Sequence, residues 1–266
     1  MQNSQFDYSN LATFLEVVLR ECGDIITTWH QRQSPSNKYL NEYVTTEVNN
    51  HILSKLKNEL PGHELFTKGS ADTGTKEYEW ICDPLDGAFI YSKGMTSVVI
   101  SMTLVHGGEP VLAGIYQPFL KDLYLATVRK GITKNGQKLP RISRGLTKYE
   151  AINAEWWPAA SYNVDQVVRK LSIEHDLYPL HIGSVVYSAC LVAEGTLVAS
   201  LFGGHLVGKN HEAAAVMLLM QEAGGKYTDL RGHNIGFEGV IPGFIISTPE
   251  AFSDILSNVE DEMKKC

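Results

Sequence analysis

A chain of 266 residues with 44% apolar content can bury one large α/β core, or two halves that share one, so disorder is not expected. A net charge of −7 argues against a nucleic-acid partner, because phosphate contacts draw on a clustered excess of Lys and Arg; a small molecule or another protein fits better. No segment approaches the ~18 uncharged apolar residues of a membrane span and the N-terminus carries no basic-then-apolar leader, which makes the cytoplasm the expected compartment and a membrane an unexpected partner.

Ser9 or Asn10 can cap a first helix, in which Leu11, Phe14, Leu15, Val18, Leu19, Cys22 and Ile26 recur at helical spacing. A second helix uses Val48, Ile52, Leu53, Leu56 and Leu60 and ends at Pro61-Gly62. From Glu79 to Val128 β-branched runs, 98–105 and 111–116, flank the turn signal His106-Gly-Gly-Glu109 and predict an antiparallel meander, with a further strand over 123–128 and a polar hairpin or loop over 129–136. The C-terminal half alternates: helix 164–172, strand 180–182, helix 184–194, strand 196–202, helix 212–223, then strands near Lys226 and Phe244. No repeat or linker interrupts the chain, so a boundary near residue 145 would be a seam between packed subdomains, 1–145 and 146–266. Cys22, Cys82, Cys190 and Cys266 lack paired spacing and are taken as reduced thiols.

The most specific segment is Trp80-Ile-Cys-Asp83-Pro84-Leu85-Asp86-Gly87-Ala88, where a strand enters a tight turn bearing two carboxylates. Such a turn can aim both at one point, where they hold divalent cations while amides after Asp86 cradle a phosphate. An ordinary capped Asp-Pro turn is the plain alternative. Nothing resembles a Gly-x-Ser-x-Gly elbow, a P-loop or a dinucleotide fingerprint.

The segment resembles the Asp-Pro-Ile/Leu-Asp-Gly-Thr motif of the inositol monophosphatase family, and the likeness continues through Gly114-Ile-Tyr-Gln-Pro118, Gly136-Gln-Lys-Leu139, Gly183-Ser184 to Gly195, and Asn210-His211 to Glu222-Ala-Gly-Gly225. That resemblance implies a five-layered αβαβα fold, N-terminal antiparallel sheet plus C-terminal α/β half, usually homodimeric, in which Mg²⁺ ions clamp a phosphomonoester. It assigns metal contacts to Asp83, the Leu85 carbonyl and Asp86, and phosphate contacts to the amides of Gly87, Ala88, Gly183 and Ser184.

The same comparison exposes departures. The family's Gly-Glu-Glu aligns with Thr67-Lys68-Gly69, its nucleophile-orienting Thr is Ala88, and its Trp-Asp is Asn210-His211; its Thr-x-Thr-Asp acid is matched to Glu47, at the edge of the catalytic set with Asp83 and Asp86. Lost anionic oxygens weaken Mg²⁺, and an imidazole at 211 suits Zn²⁺ or Mn²⁺ better; a metal-free site is also compatible. Two readings stay open for His211, weak metal ligation or a neutral histidine at a helix start. Two also stay open for Lys68, a solvated loop lysine or an ammonium that replaces metal charge near a ligand anion. Gly203-Gly204 stands where the family often carries a substrate-gripping acid, which speaks against inositol itself; Trp156-Trp157-Pro158 is taken as a packed loop, and His106, His181, His205 and His233 as bland. The chain is therefore expected to be an altered hydrolase of a small phosphorylated metabolite (sugar, inositol or nucleotide phosphate). The alternative is a family member that kept the pocket and lost the reaction, binding a small molecule or running different chemistry.

Overall fold

A computed structural model describes residues 7–32, 39–67 and 77–263. Helix α1 (Ser9–Gln31) buries Leu15, Val18, Leu19, Cys22 and Ile26, the apolar stripe its spacing predicts. Its N-cap is Tyr8, not Ser9 or Asn10: the Ser9 amide and hydroxyl both bond the Asp7 carboxylate, so Ser9 already belongs to the first turn. Helix α2 (Leu40–Glu59) begins earlier than expected and buries Leu40, Val44, Val48, Ile52 and Leu56 in a strict i,i+4 row, which leaves Leu53 exposed.

Strands β1 (Glu64–Thr67), β2 (Tyr78–Asp86), β3 (Val99–His106), β4 (Glu109–Gln117), β5 (Asp122–Thr127), β6 (Gly131–Lys134) and β7 (Gln137–Lys138) lie side by side in chain order, with the short helix α3 (Ala88–Tyr91) after β2. Strand β1 runs parallel to β2 and the remaining pairs are antiparallel, the predicted meander with the 129–136 segment folded as a hairpin. The unbroken burial of β3 and β4 reports a sheet covered on both faces.

The second half follows as β8 (Ala151–Glu155), α4 (Val164–His175), β9 (Tyr178–Leu180), α5 (Val185–Ala193), β10 (Ala199–Phe202), β11 (Leu206–Val207), α6 (His211–Ala223), β12 (Lys226–Asp229), β13 (Val240–Ile241), β14 (Phe244–Ser247) and α7 (Phe252–Met263). Its sheet has the order β12-β14-β10-β8-β9, with β8 parallel to both β9 and β10, while β11 pairs with β13 alone. Neither β8 nor α7 is among the elements expected from the sequence. Strand β8 hides Asn153 and Glu155, which breaks any alternating pattern, and α7 buries only Ile255 and Val259.

Three apolar clusters explain the layering. One joins α1 and α2 to the outer face of the first sheet, one places α5 and α6 between the two sheets, and one covers the far face of the second sheet with α4 and α7. The result is the five-layered αβαβα arrangement. It brings the end of β2 against the first turns of α5 and α6. Among the described residues Cys22, Cys82 and Cys190 are buried free thiols, and no helix is long and apolar enough to cross a membrane.

Candidate metal and phosphate site

Strand β2 loses register with β3 between Asp83 and Asp86, and that irregularity lets both acids face the same side of the turn. Both are buried, at 6% exposure each, and both line one cavity of about 390 Å³ together with Leu85, Gly87, Ala88 and His211. Gly87 closes the turn in the left-handed region at φ 89°, where a Cβ would stand 3.0 Å from Val98 and 3.3 Å from the Gly183 carbonyl, so only glycine fits without strain. The Asn41 amide of α2 donates to the Ala88 carbonyl at 2.8 Å and ties that helix to the turn.

The two carboxylates have different partners. Asp83 accepts from the Leu85 amide at 3.1 Å and lies 3.5 Å from His211 Nε2. Ligand atoms of Asp83, His211 and Glu212 all fall within 4.8 Å of one another. Such a mixed imidazole and carboxylate set fits one divalent cation, and its nitrogen suits Zn²⁺ or Mn²⁺ better than Mg²⁺. Asp86 instead accepts from Ser184 Oγ at 2.5 Å and the Val186 amide at 2.7 Å, at the start of α5. The Ser184 side chain is thus the N-cap of α5 and a clamp on Asp86; its oxygen also accepts from the Tyr187 amide. Burial first, and the neighbouring Asp83 charge second, push Asp86 up to about 7 against the pull of the Ser184 and Val186 bonds and of His211.

Glu47 is not brought to this cavity. It is exposed and accepts from the Trp29 indole at 2.6 Å, while α2 turns Asn41, Glu42, Thr45 and Asn49 toward the site. The reason is helical geometry: two residues beyond Thr45 is a rotation of about 200°. Thr67 reaches the cavity at the end of β1, and Lys68 and Gly69 lie outside the described residues. At Gly204 a side chain would strike the Phe202 ring at 2.3 Å and Trp157 at 2.7 Å, so an acid has no room there, and Trp157 packs on Phe202. His106, His181 and His233 are engaged with Tyr8, Asp165 and Asp229 respectively.

Sequence reasoning missed three acids, the first being Glu42, which lines the cavity from α2. Glu212 stands beside His211, and only the packing of α6 against β2 makes it a ligand candidate. Glu155, 8% exposed at the carboxyl end of β8, accepts from the Gly183 amide at 3.0 Å and from Asn153 at 2.9 Å, which pins the turn that presents Ser184 to Asp86. Desolvation, with Asp86 adding to it and the Asn153 and Gly183 bonds opposing, raises Glu155 from the usual 4.5 to about 7. The folded state therefore holds this proton more tightly than the unfolded chain. The stability it contributes is full below pH 4.5 and lost as pH rises through 7. Glu155→Gln is expected to be the more stable protein at pH 8, by roughly 3 kcal/mol from the width of that window, and nearly equal to the wild type at pH 5. Urea denaturation at both pH values measures the difference.

Residues 2–263 match the family model described as the inositol monophosphatase family. The chain belongs to the inositol monophosphatase family. A "Putative Nus factor SuhB" of Neisseria meningitidis serogroup B is 30% identical over 210 residues, covering 74% of this chain and 77% of the relative. A "Fructose-1,6-bisphosphatase/inositol-1-monophosphatase" of Aquifex aeolicus is 28% identical over 211 residues, covering 74% and 75%. Among solved structures a Thermotoga maritima IMPase superposes with a TM-score of 0.82 at 18% identity, over 96% of this chain and 99% of that one. Inositol monophosphate-bound SaIMPase-II superposes at 0.79 and 18% identity over 96% of each chain, and a 2'AMP-bound form at 0.79 and 18% over 96% and 95%. At these identities the structural likeness speaks for the fold.

Proposed function

We propose that this family member is a metal-dependent hydrolase of a small phosphorylated metabolite, working with a rebuilt cation site. The observation that carries the reading is the convergence of Asp83, His211 and Glu212 within 4.8 Å on the cavity walled by Asp86, Gly87 and Ala88. Asp83, His211 and Glu212 would hold the cation, with Asp86 and the Leu85 carbonyl beside it. A bound divalent ion supplies Lewis-acid stabilisation of the phosphoryl oxygens. The chain's own residues do the rest. Gly87 lets the phosphate approach the turn, Ser184 and Val186 fix the Asp86 carboxylate, and Asp86, which burial and the Asp83 charge hold toward its protonated form, would have to be ionised for a cation to sit beside it. Cation binding is therefore tighter as pH rises toward 7.

The fold-family relatives support a phosphate-ester substrate, since inositol monophosphate and 2'AMP occur in related structures. The test is phosphate release from inositol 1-phosphate, 2'-AMP and sugar phosphates with Mg²⁺, Mn²⁺ or Zn²⁺. Turnover is expected to be faster with Mn²⁺ or Zn²⁺ than with Mg²⁺, and Asp83→Asn to reduce it by about 100-fold or more. No turnover above Asp83→Asn with any pair of substrate and metal would remove the proposal.

A second reading has a specific motive: a relative carries the name Nus factor, and Ala88 offers no hydroxyl where the family motif has threonine. On that reading the pocket binds without turning over, and the protein acts through a macromolecular partner. The net charge does not speak against such a partner. Phosphate binding by calorimetry in the absence of any turnover would favour it.

A further inference from the structure

The net charge of −7 is unevenly distributed. At the end of α6 opposite to His211, Arg129, Lys130, Lys138 and Arg141 line a groove of about 570 Å³ whose one acidic residue is Glu222. Glu222 is already committed. One of its oxygens accepts the Arg129 amide and the other the Gly131 amide, each at 2.8 Å, which holds the turn with Arg129 at φ 63° and Gly131 at φ 83°. Two of the cations lie across glycines. Lys138 Cε is 3.5 Å from where a Cβ of Gly131 would be, and Arg141 Nε and Nη2 are 2.6 and 2.7 Å from the same point on Gly224, the left-handed C-cap of α6. The cations are exposed side chains gathered where the turn from Arg129 to Gly131, held by Glu222 through its backbone amides, meets the Gly224 cap of α6. A helix of 13 residues spans roughly 20 Å, so this groove is separate from the metal cavity.

We propose that this groove binds a run of two or more phosphate groups, the chemistry shared by a single-stranded nucleic-acid backbone and a linear polyphosphate. Lys130 is paired with Asp7 at 3.1 Å, which leaves Arg129, Lys138 and Arg141 as the groove's other cations; three positive charges still exceed what a monoanion neutralises, and the arginine forks match phosphate oxygens pairwise. The argument from net charge against nucleic acid averages over the surface and misses this cluster. The site stands independently of the hydrolase reading.

The test is fluorescence anisotropy of a labelled 12-residue oligouridylate with the full chain in EDTA, titrated with tripolyphosphate as competitor. The oligonucleotide is expected to bind at 50 mM salt and to be displaced by tripolyphosphate. Lys138→Glu/Arg141→Glu is expected to weaken binding at least 10-fold and to flatten the log K against log salt slope by about 0.7 per lost cation. Asp83→Ala should bind like the wild type, and phosphate release by the double variant should be unchanged. Lys138→Gln/Arg129→Gln, with a circular-dichroism melt, guards against misfolding and should weaken binding in the same direction. If tripolyphosphate binds by calorimetry and the oligonucleotide does not, the groove takes the small anion. Binding of neither, or equal binding by the wild type and both folded charge variants, overturns the site.

Discussion

Glu212→Ala is expected to weaken Mn²⁺ and Zn²⁺ binding by 100-fold or more, as measured by calorimetry, while leaving thermal stability within about 1 kcal/mol of the wild type. Two roles are open to an acid in the first turn of a helix, and their magnitudes differ. Interaction with the helix dipole is worth about 0.3–1 kcal/mol at an accessible position, and α6 does not depend on Glu212 for capping, because Asn210 accepts from the Ala213 amide at 2.7 Å. Loss of a metal ligand costs more than the 10–100-fold typical of residues that merely orient ligands. A variant that loses a few tenths of a kcal/mol and keeps its metal affinity would reduce Glu212 to a dipole partner. The companion change, His211→Asp, restores a hard oxygen set and is expected to shift preference toward Mg²⁺.

Lys209→Met should destabilise the fold by about 3–5 kcal/mol in chemical denaturation, and Lys209→Met/Glu79→Leu should recover most of that loss. Lys209 Nζ lies 2.8 Å from Glu79 and 3.7 Å from Glu238, over the Phe66 ring, with side-chain exposures of 7% for the lysine and 13% for Glu79. Removing the cation strands a carboxylate that has little access to water, and that penalty outweighs what the pair itself contributes. The pair also joins β2, which carries Asp83, to the segment leading into His211, where the Asn210 amide is anchored on the Phe237 carbonyl at 2.8 Å. Weaker metal binding in the single variant is the expected consequence, although Lys209 is not itself a proposed ligand. A double variant no more stable than the single one would contradict this role.

The parts of the site legible in the sequence are those written in one short segment. Asp83-Pro-Leu-Asp86-Gly87 announces its own turn, and the starts of α5 and α6 are marked by the capping residues Ser184 and Asn210. What was not legible depends on packing between elements. Glu212 becomes a ligand candidate only when α6 meets the end of β2, and Glu155 sits on a strand whose buried polar residues erase the alternation that would reveal it. Glu47 illustrates the converse error: a motif match fixed a position along the helix but not its rotation, and α2 presents Asn41, Glu42, Thr45 and Asn49 to the cavity instead. Charge behaves the same way. A total of −7 is a property of the composition, whereas the cluster from Arg129 to Arg141 is a property of the β5–β6 hairpin folding against the end of α6.

The central claim is that one cation is held jointly by Asp83, His211 and Glu212. Crystals soaked in Zn²⁺ and measured at the zinc absorption edge test it most directly. The expected result is an anomalous peak about 2.0–2.2 Å from His211 Nε2 and from a carboxylate oxygen of both Asp83 and Glu212. A fully soaked crystal with no peak in this cavity, or with one bound by Asp86 and water alone, would contradict it.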